Sequence, residues 1–238
     1  MNIGIIPARL NSTRLPNKIL LDISGKPMIA HVMERALKST KLDKVVLGVD
    51  SDETIDYLSK YEFEIFMTSD KHISGTDRVN EVAKKFPDAE IIINIQGDEP
   101  LLEPKMIDDL VSVMEDPQVK MATVLSNKLT VSELLNPNVV KAIMDESHNA
   151  VEFKRNVFDL EIGGVYKHIG MYGFKPKTLS YFTSLEASNR ELERNLEQMR
   201  ALDNDIPIRA MITSLDALSV DTQEDLNEVK KILNDKHK

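Results

Sequence analysis

The sequence predicts an α/β fold: a mixed, mainly parallel sheet flanked by helices, with a β-rich lobe inserted near residues 128–210. Three observations predict it. Over the first half of the 238 residues, short β-branched runs alternate with amphipathic helical patterns. Those runs lack period-2 polarity, as strands buried on both faces do. The second half carries strands joined by longer, irregular links.

In chain order, strands are expected at Ile3–Pro7, Lys44–Val49, Glu64–Thr68, Ile91–Ile95 and Met121–Leu125. Between them, apolar residues at helical spacing predict helices near Met28–Ser39, Asp52–Lys60, Thr76–Lys85 and Pro104–Met114. Asp52 is a cap for the second helix, and Ser74 or Gly75 for the third. The second half predicts strands at Val139–Met144, Ala150–Lys154, His168–Phe174 and Ile206–Thr213, with helices at Thr178–Ser184 and Asn189–Leu202. A last strand, Ala217–Val220, leads into a closing helix from Thr222 to about Asn234. We expect one domain, with a core of about 1–127 and 211–238.

The net charge of −9 argues against nucleic acid or an anionic membrane as partner, since both need a basic face. No cysteine is present, which removes disulfides and thiolate zinc sites. No apolar run is long enough to span a bilayer. The N-terminus runs directly into a strand, without the basic start or cleavage site of a signal peptide, so a cytoplasmic enzyme is expected.

Against that acidic background, positive charge gathers in one loop. The first strand stops at Pro7, and Arg9, Arg14 and Lys18 follow among Ser12, Thr13, Pro16 and Asn17. The loop is neither a P-loop nor a dinucleotide fingerprint. It follows the C-terminal end of a strand, where open parallel sheets bind ligands. A bound polyphosphate accounts for its cations; a solvated surface is the competing account. Asn17 sits where left-handed backbone is tolerated.

Two acids complete the pattern. In Asn94–Pro100, NIQGDEP, Gly97 permits close backbone approach and Asp98 lies at a strand end, where a carboxylate can hold Mg²⁺ beside a triphosphate. Asp221, in LSVDTQEDL, is either a second metal ligand or simply the cap of the closing helix. Asp50, Ser51 and Asp52 form a D-x-D that suits a glycosyltransferase, although Asp52 has a ready role as a cap.

The ordered set IIPAR-x₂-STRLP-x-K, GKPMI, SGTDR, NIQGDEP and VDT-x-EDL resembles the CMP-Kdo synthetases, the 3-deoxy-manno-octulosonate cytidylyltransferases. The likeness runs along nearly the whole chain and is strongest to about residue 103. It implies a nucleotide-diphospho-sugar-transferase-like (Rossmann-like) fold, a homodimer, Mg²⁺ as cofactor, and CTP and an acidic sugar as substrates. It also implies that the inserted lobe binds the sugar and dimerises. By position, it places Ala8, Arg9, Ser12, Arg14 and Lys18 on the nucleotide, with His72, Ser74, Gly75, Thr76 and Arg78 near the base. Gln96 falls between nucleotide and sugar. Arg155, His168, Tyr172, Glu197 and Gln198 fall near the sugar, with Arg200 on the same helix. Asp98 and Asp221 match the metal ligands, and Arg14, Lys18 and Asp98 are the expected catalytic groups.

The likeness weakens in the lobe. Where typical members carry Tyr-Phe-Ser-Arg, this chain has Glu152, Phe153, Lys154 and Arg155, and a typical His is Leu192. Glu152 and Glu193 would suit an 8-amino form of the sugar acid, or be exposed and idle. Arg190 with Glu193, and Arg194 with Glu197, have the spacing of surface pairs. Another acidic sugar, and a nucleotide-binding protein without turnover, are the remaining alternatives.

Overall fold

A computed structural model describes residues 1–12, 15–157 and 164–235. Its chain forms two compact units: Met1–Asp108 with Ala217–Lys238, and Asp109–Asp216. The boundaries fall before the sequence-based position of 127 and after that of 211, so the strand at Met121 belongs to the second unit.

The first unit opens with β1 (Asn2–Ala8), in which Ile3, Ile5 and Ile6 are all fully buried. Burial of consecutive residues means that both faces are covered, as a parallel sheet requires. A small hairpin follows, β2 (Asp22–Ile23) and β3 (Lys26–Pro27), then α1 (Met28–Ala36). Next come β4 (Lys44–Val49), α2 (Asp52–Leu58), β5 (Ile65–Met67), α3 (Gly75–Ala83) and β6 (Ile91–Asn94). The strands lie in the order β5-β4-β1-β6, and every pairing is parallel. The cap of α2 is Ser51, whose hydroxyl accepts from the Glu53 amide; Asp52 is the first helical residue instead. Ser74 caps α3 through a reciprocal bond with Asp77, as expected.

The chain leaves this unit along α4 (Pro104–Met114). The second unit contains β7 (Met121–Ser126), α5 (Val131–Leu135), β8 (Lys141–Met144), β9 (Asn149–Lys154) and β10 (Val165–Phe174). Then come α6 (Pro176–Ser184), α7 (Asn189–Arg194), α8 (Met199–Asp203) and β11 (Ile208–Thr213). Here β7 and β11 are parallel and the other pairings antiparallel. The order β10-β7-β11-β9-β8 closes on itself, because β8 also pairs with β10. The sequence pattern runs one helix through Asn189–Leu202; the structure breaks it at Asn195, which adopts left-handed backbone with φ 53°. Arg200 and Glu191, both buried, then form a two-pronged ion pair at 2.6 and 2.8 Å.

The chain returns to the first unit at Ala217. No strand forms over Ala217–Val220, where one was expected; Val220 instead donates a single backbone bond to Asp98 at 2.9 Å. The closing helix, α9 (Gln223–Asp235), packs Leu226, Val229 and Leu233 against Ile23, Met28 and Val220. This small core is what fixes the segment carrying Asp221. Leu226→Ala should therefore cost about 2–4 kcal/mol in urea denaturation.

Candidate active site

In the first unit, the end of β1 and the loop after it, the turn after β6 and the N-terminus of α3 surround a cavity of about 270 Å³. Ala8, Arg9, Ser12, Lys18, His72, Ser74, Gly75, Arg78, Gln96, Asp98 and Asp221 all line it. The structure thus brings together the loop, the segment from His72 to Arg78 and both acids. Arg14 lies outside the described residues. Thr76 does not reach the cavity: it is buried and accepts from Asn94 Nδ2 at 3.4 Å. Pro7, Ile19, Ile73 and Gly97 also line the cavity. Of these, Ile73 had no sequence signal beyond its place between His72 and Ser74.

Local chemistry explains the convergence. Asn17 holds φ 52°, the left-handed turn that starts a short 3₁₀ helix over Lys18–Leu20. Gly97 lets the strand-end turn pass close to β1; a Cβ there would stand 3.2 Å from the Pro7 carbonyl oxygen. Asp221 is not the cap of α9. Thr222 takes that role, its hydroxyl accepting from Asp225 N at 3.2 Å, while Asp225 accepts from the Asp221 and Thr222 amides. The Asp221 carboxylate is released for the cavity.

There it meets Lys18. The ammonium donates to Asp98 Oδ2 at 2.7 Å and to Asp221 Oδ1 at 3.1 Å. Burial lowers the Lys18 pKa, but the two carboxylates outweigh it and the net shift is upward. Lys18 therefore stays charged across the physiological range. Two carboxylate oxygens aimed at one cation are also a donor set for a hard metal ion. Among the described residues, no group of three His, Cys, Asp or Glu could hold a metal. Mg²⁺ is satisfied by one or two carboxylates when phosphate and water supply the rest, so the pair fits it, whereas a zinc site needs more protein ligands.

The segment from His72 to Arg78 is braced rather than loose. His72 Nε2 lies 2.5 Å from Glu81, and Glu81 also accepts from Ser69 N. Those bonds hold the Glu81 carboxyl below its usual pKa. The Arg78 guanidinium is turned toward Asp50, Thr68 and the Ser69 carbonyl.

The second unit holds the remaining candidates. A bulge in β10 after Ile169 inserts Gly170 and Met171, so Tyr172 and His168 face the same stretch of β7. Four residues of flat strand would separate them by about 13 Å; their rings lie 5.6 Å apart. The Thr123 hydroxyl donates to the Met171 carbonyl, so the 3.0 Å contact with His168 requires Nε2 to carry the proton. Burial lowers the His168 pKa to about 3, which keeps the ring neutral. Tyr172 is shifted well above its usual value, by burial first and then by the charge of Glu197, with Thr123 opposing. Gln198 is buried, and its Nε2 has no hydrogen-bond partner. A buried, unsatisfied donor is costly unless a ligand completes it. Arg155 donates to the carbonyls of Arg194, Asn195 and Pro137, which binds it to the end of α7.

The chain matches the cytidylyltransferase family profile over residues 3–209. It is 42% identical over 238 residues to a 3-deoxy-manno-octulosonate cytidylyltransferase of Lawsonia intracellularis, covering 97% of this chain and 93% of that one. It is 40% identical to the enzyme of that name from Chloroherpeton thalassium, covering 96% of each. The chain belongs to the 3-deoxy-manno-octulosonate cytidylyltransferase family. The solved structure of a CMP:2-keto-3-deoxy-manno-octonic acid synthetase complexed with CTP superposes with a TM-score of 0.92 at 33% identity, over 99% of this chain and 100% of that one. An inositol-1-phosphate CTP transferase from T. maritima, 17% identical with a TM-score of 0.69 over 98% of this chain and 95% of that one, shares the fold.

Within this cytidylyltransferase, the surface pairs expected from helical spacing do not form. Arg190 pairs with Asp203, and Arg194 with Glu152. Glu193 is exposed. His31 bonds the Ile23 carbonyl at 2.8 Å, a packing role.

Two outcomes follow from these electrostatics. Lys18→Met leaves Asp98 and Asp221 facing each other, and should cost about 1–2 kcal/mol at pH 7, the partial exposure of the pair limiting the loss. His168 behaves oppositely to a salt-bridged histidine: its folded pKa is depressed, so the unfolded chain binds the proton first. Stability should fall as pH drops below about 6.5, by up to about 1.4 kcal/mol per unit. His168→Gln should flatten that limb.

Proposed function

We propose that this protein transfers CMP from CTP to 3-deoxy-manno-octulosonate and releases pyrophosphate, in the cytoplasm, with Mg²⁺ as cofactor. The observation that carries the reading is the convergence of Arg9, Lys18, Asp98 and Asp221 on one cavity. A hydroxyl attacking the α-phosphorus in line needs charge neutralisation and positioning more than covalent help. Lys18 would steady the departing pyrophosphate, with Arg14 beside it in sequence. Ser74 and Gly75 put the positive end of α3 on the cavity wall, which suits an anion. Asp98 and Asp221 would hold the metal, which when bound supplies charge stabilisation and activates the attacking hydroxyl.

The arrangement of acids also favours this reaction over its rivals. Asp50 is bonded to Arg78 and Leu10, and Asp52 begins a helix, so the D-x-D is not available as a glycosyltransferase metal site. The unmodified sugar is favoured over its 8-amino form, because Glu152 is engaged by Arg194. His168, Tyr172, Glu197 and Gln198 would supply hydrogen bonds to sugar hydroxyls. We also assign a homodimer, for which the second unit offers exposed Val131, Leu135, Val151 and Leu192. Among the described residues, no helix is long and apolar enough to cross a membrane.

The test is pyrophosphate release with CTP, Mg²⁺ and a panel of acidic sugars, and with ATP, GTP or UTP replacing CTP. Turnover should require CTP and be highest with the unmodified octulosonate. Asp98→Asn and Asp221→Asn should each lower kcat by about two to three orders of magnitude, with melting temperatures close to the parent. Full activity in Asp98→Asn would overturn the assignment.

A further inference from the structure

The Asp50-Ser51-Asp52 run is the motif that the proposed reaction leaves idle, and its first acid is placed with care. Asp50 follows the last residue of β4. Its Oδ1 accepts from the Leu10 backbone amide at 3.0 Å, and its Oδ2 accepts from Arg78 Nη2 at 3.1 Å. Both side chains are well buried, 13% and 4% exposed. The Arg78 guanidinium also donates to Thr68 Oγ1 and the Ser69 carbonyl. Thr68 in turn bonds back to the Val49 carbonyl through its amide and its hydroxyl. One carboxylate thus joins the loop after β1, the ends of β4 and β5, and α3.

The geometry is built for this. Gly48 gives the Arg78 stem room to lie across β4; a Cβ there would stand 3.4 Å from Arg78 Cγ and 2.9 Å from Val82. Leu10 is the residue after Arg9, and Arg9 and Arg78 line both the main cavity and a neighbouring one of about 400 Å³. Fixing the Leu10 amide fixes the backbone from which Arg9 extends. The tie is charge-assisted at the Arg78 end and also at the backbone end, where an ionised carboxylate accepts the N–H.

We infer that Asp50 is a positioning residue for nucleotide binding: it holds the Leu10 amide and the Arg78 guanidinium so that Arg9 stays on the wall of the triphosphate cavity. The inference rests on the proposed cytidylyl transfer. A residue with this role acts on CTP and leaves the sugar alone, whereas a residue that only stabilises the fold changes the amount of active protein and leaves both KM values where they were.

The test compares Asp50→Ala and Asp50→Asn with the parent, each assayed well below its own melting temperature. Asp50→Ala should raise the KM for CTP about tenfold or more, the worth of a hydrogen bond to a charged group. Asp50→Asn keeps an oxygen for Leu10 and should raise it about threefold. The KM for the sugar and kcat should stay within about twofold for both variants. An unchanged KM for CTP in Asp50→Ala, or equal rises in both KM values, would overturn the inference. If Asp50→Ala does not fold, Asp50→Asn carries the same comparison. If the parent releases no pyrophosphate with any sugar, the proposed function fails on its own. Asp50 is then judged by calorimetric titration of CTP, where weaker binding in Asp50→Asn supports the inference and equal binding removes it.

Discussion

The candidate site is organised around one ammonium group held between two carboxylates. Lys18 is 80 residues from Asp98 and 203 from Asp221, yet its Nζ bonds both. Without a cation between them, the two acids would repel. Each partner reaches that point through a local backbone solution: Asn17 in left-handed backbone, Gly97 against the Pro7 carbonyl, and Thr222 capping α9 in place of Asp221. The cavity's chemistry follows from these three solutions.

The two units use different physical means. In the first, fixed charges of both signs share one cavity: Arg9 and Lys18 with Asp98 and Asp221. The cations among them can neutralise a bound polyanion. In the second, His168 and Tyr172 are kept uncharged. Burial holds His168 neutral and Tyr172 protonated, and the bulge in β10 sets them side by side. Such groups donate and accept hydrogen bonds without imposing charge, which suits a hydroxyl-rich partner.

The alternation of buried runs and amphipathic helices made the parallel strands of the first unit legible, because burial on both faces leaves an unbroken apolar signature in Ile3–Ile6 and Val45–Val49. The loop, the strand-end acid Asp98 and the capped start of α3 were legible for similar reasons, since each pairs a residue type with a position. What escaped was decided by tertiary contacts. Nothing local marks Ser51 over Asp52 as a cap, or Asn195 as a break in a helical pattern. Ala217–Val220 has the residues of a strand and makes one backbone bond to Asp98 instead. Arg78 is a cation beside a nucleotide motif, and only the structure shows that Asp50 engages it.

The first unit is discontinuous: its strands come from the start of the chain, and Asp221 and α9 come from the last residues. A nascent polypeptide can complete the second unit while the first still lacks its final helix. Domains formed from contiguous sequence can fold during synthesis. Here Lys18 and Asp98 wait for an acid that emerges only after the whole second unit, so the ribosome completes that unit before the charge cluster can close. Premature termination shortly before codon 221 would release a chain with most of its fold encoded and one of the two carboxylates around Lys18 missing.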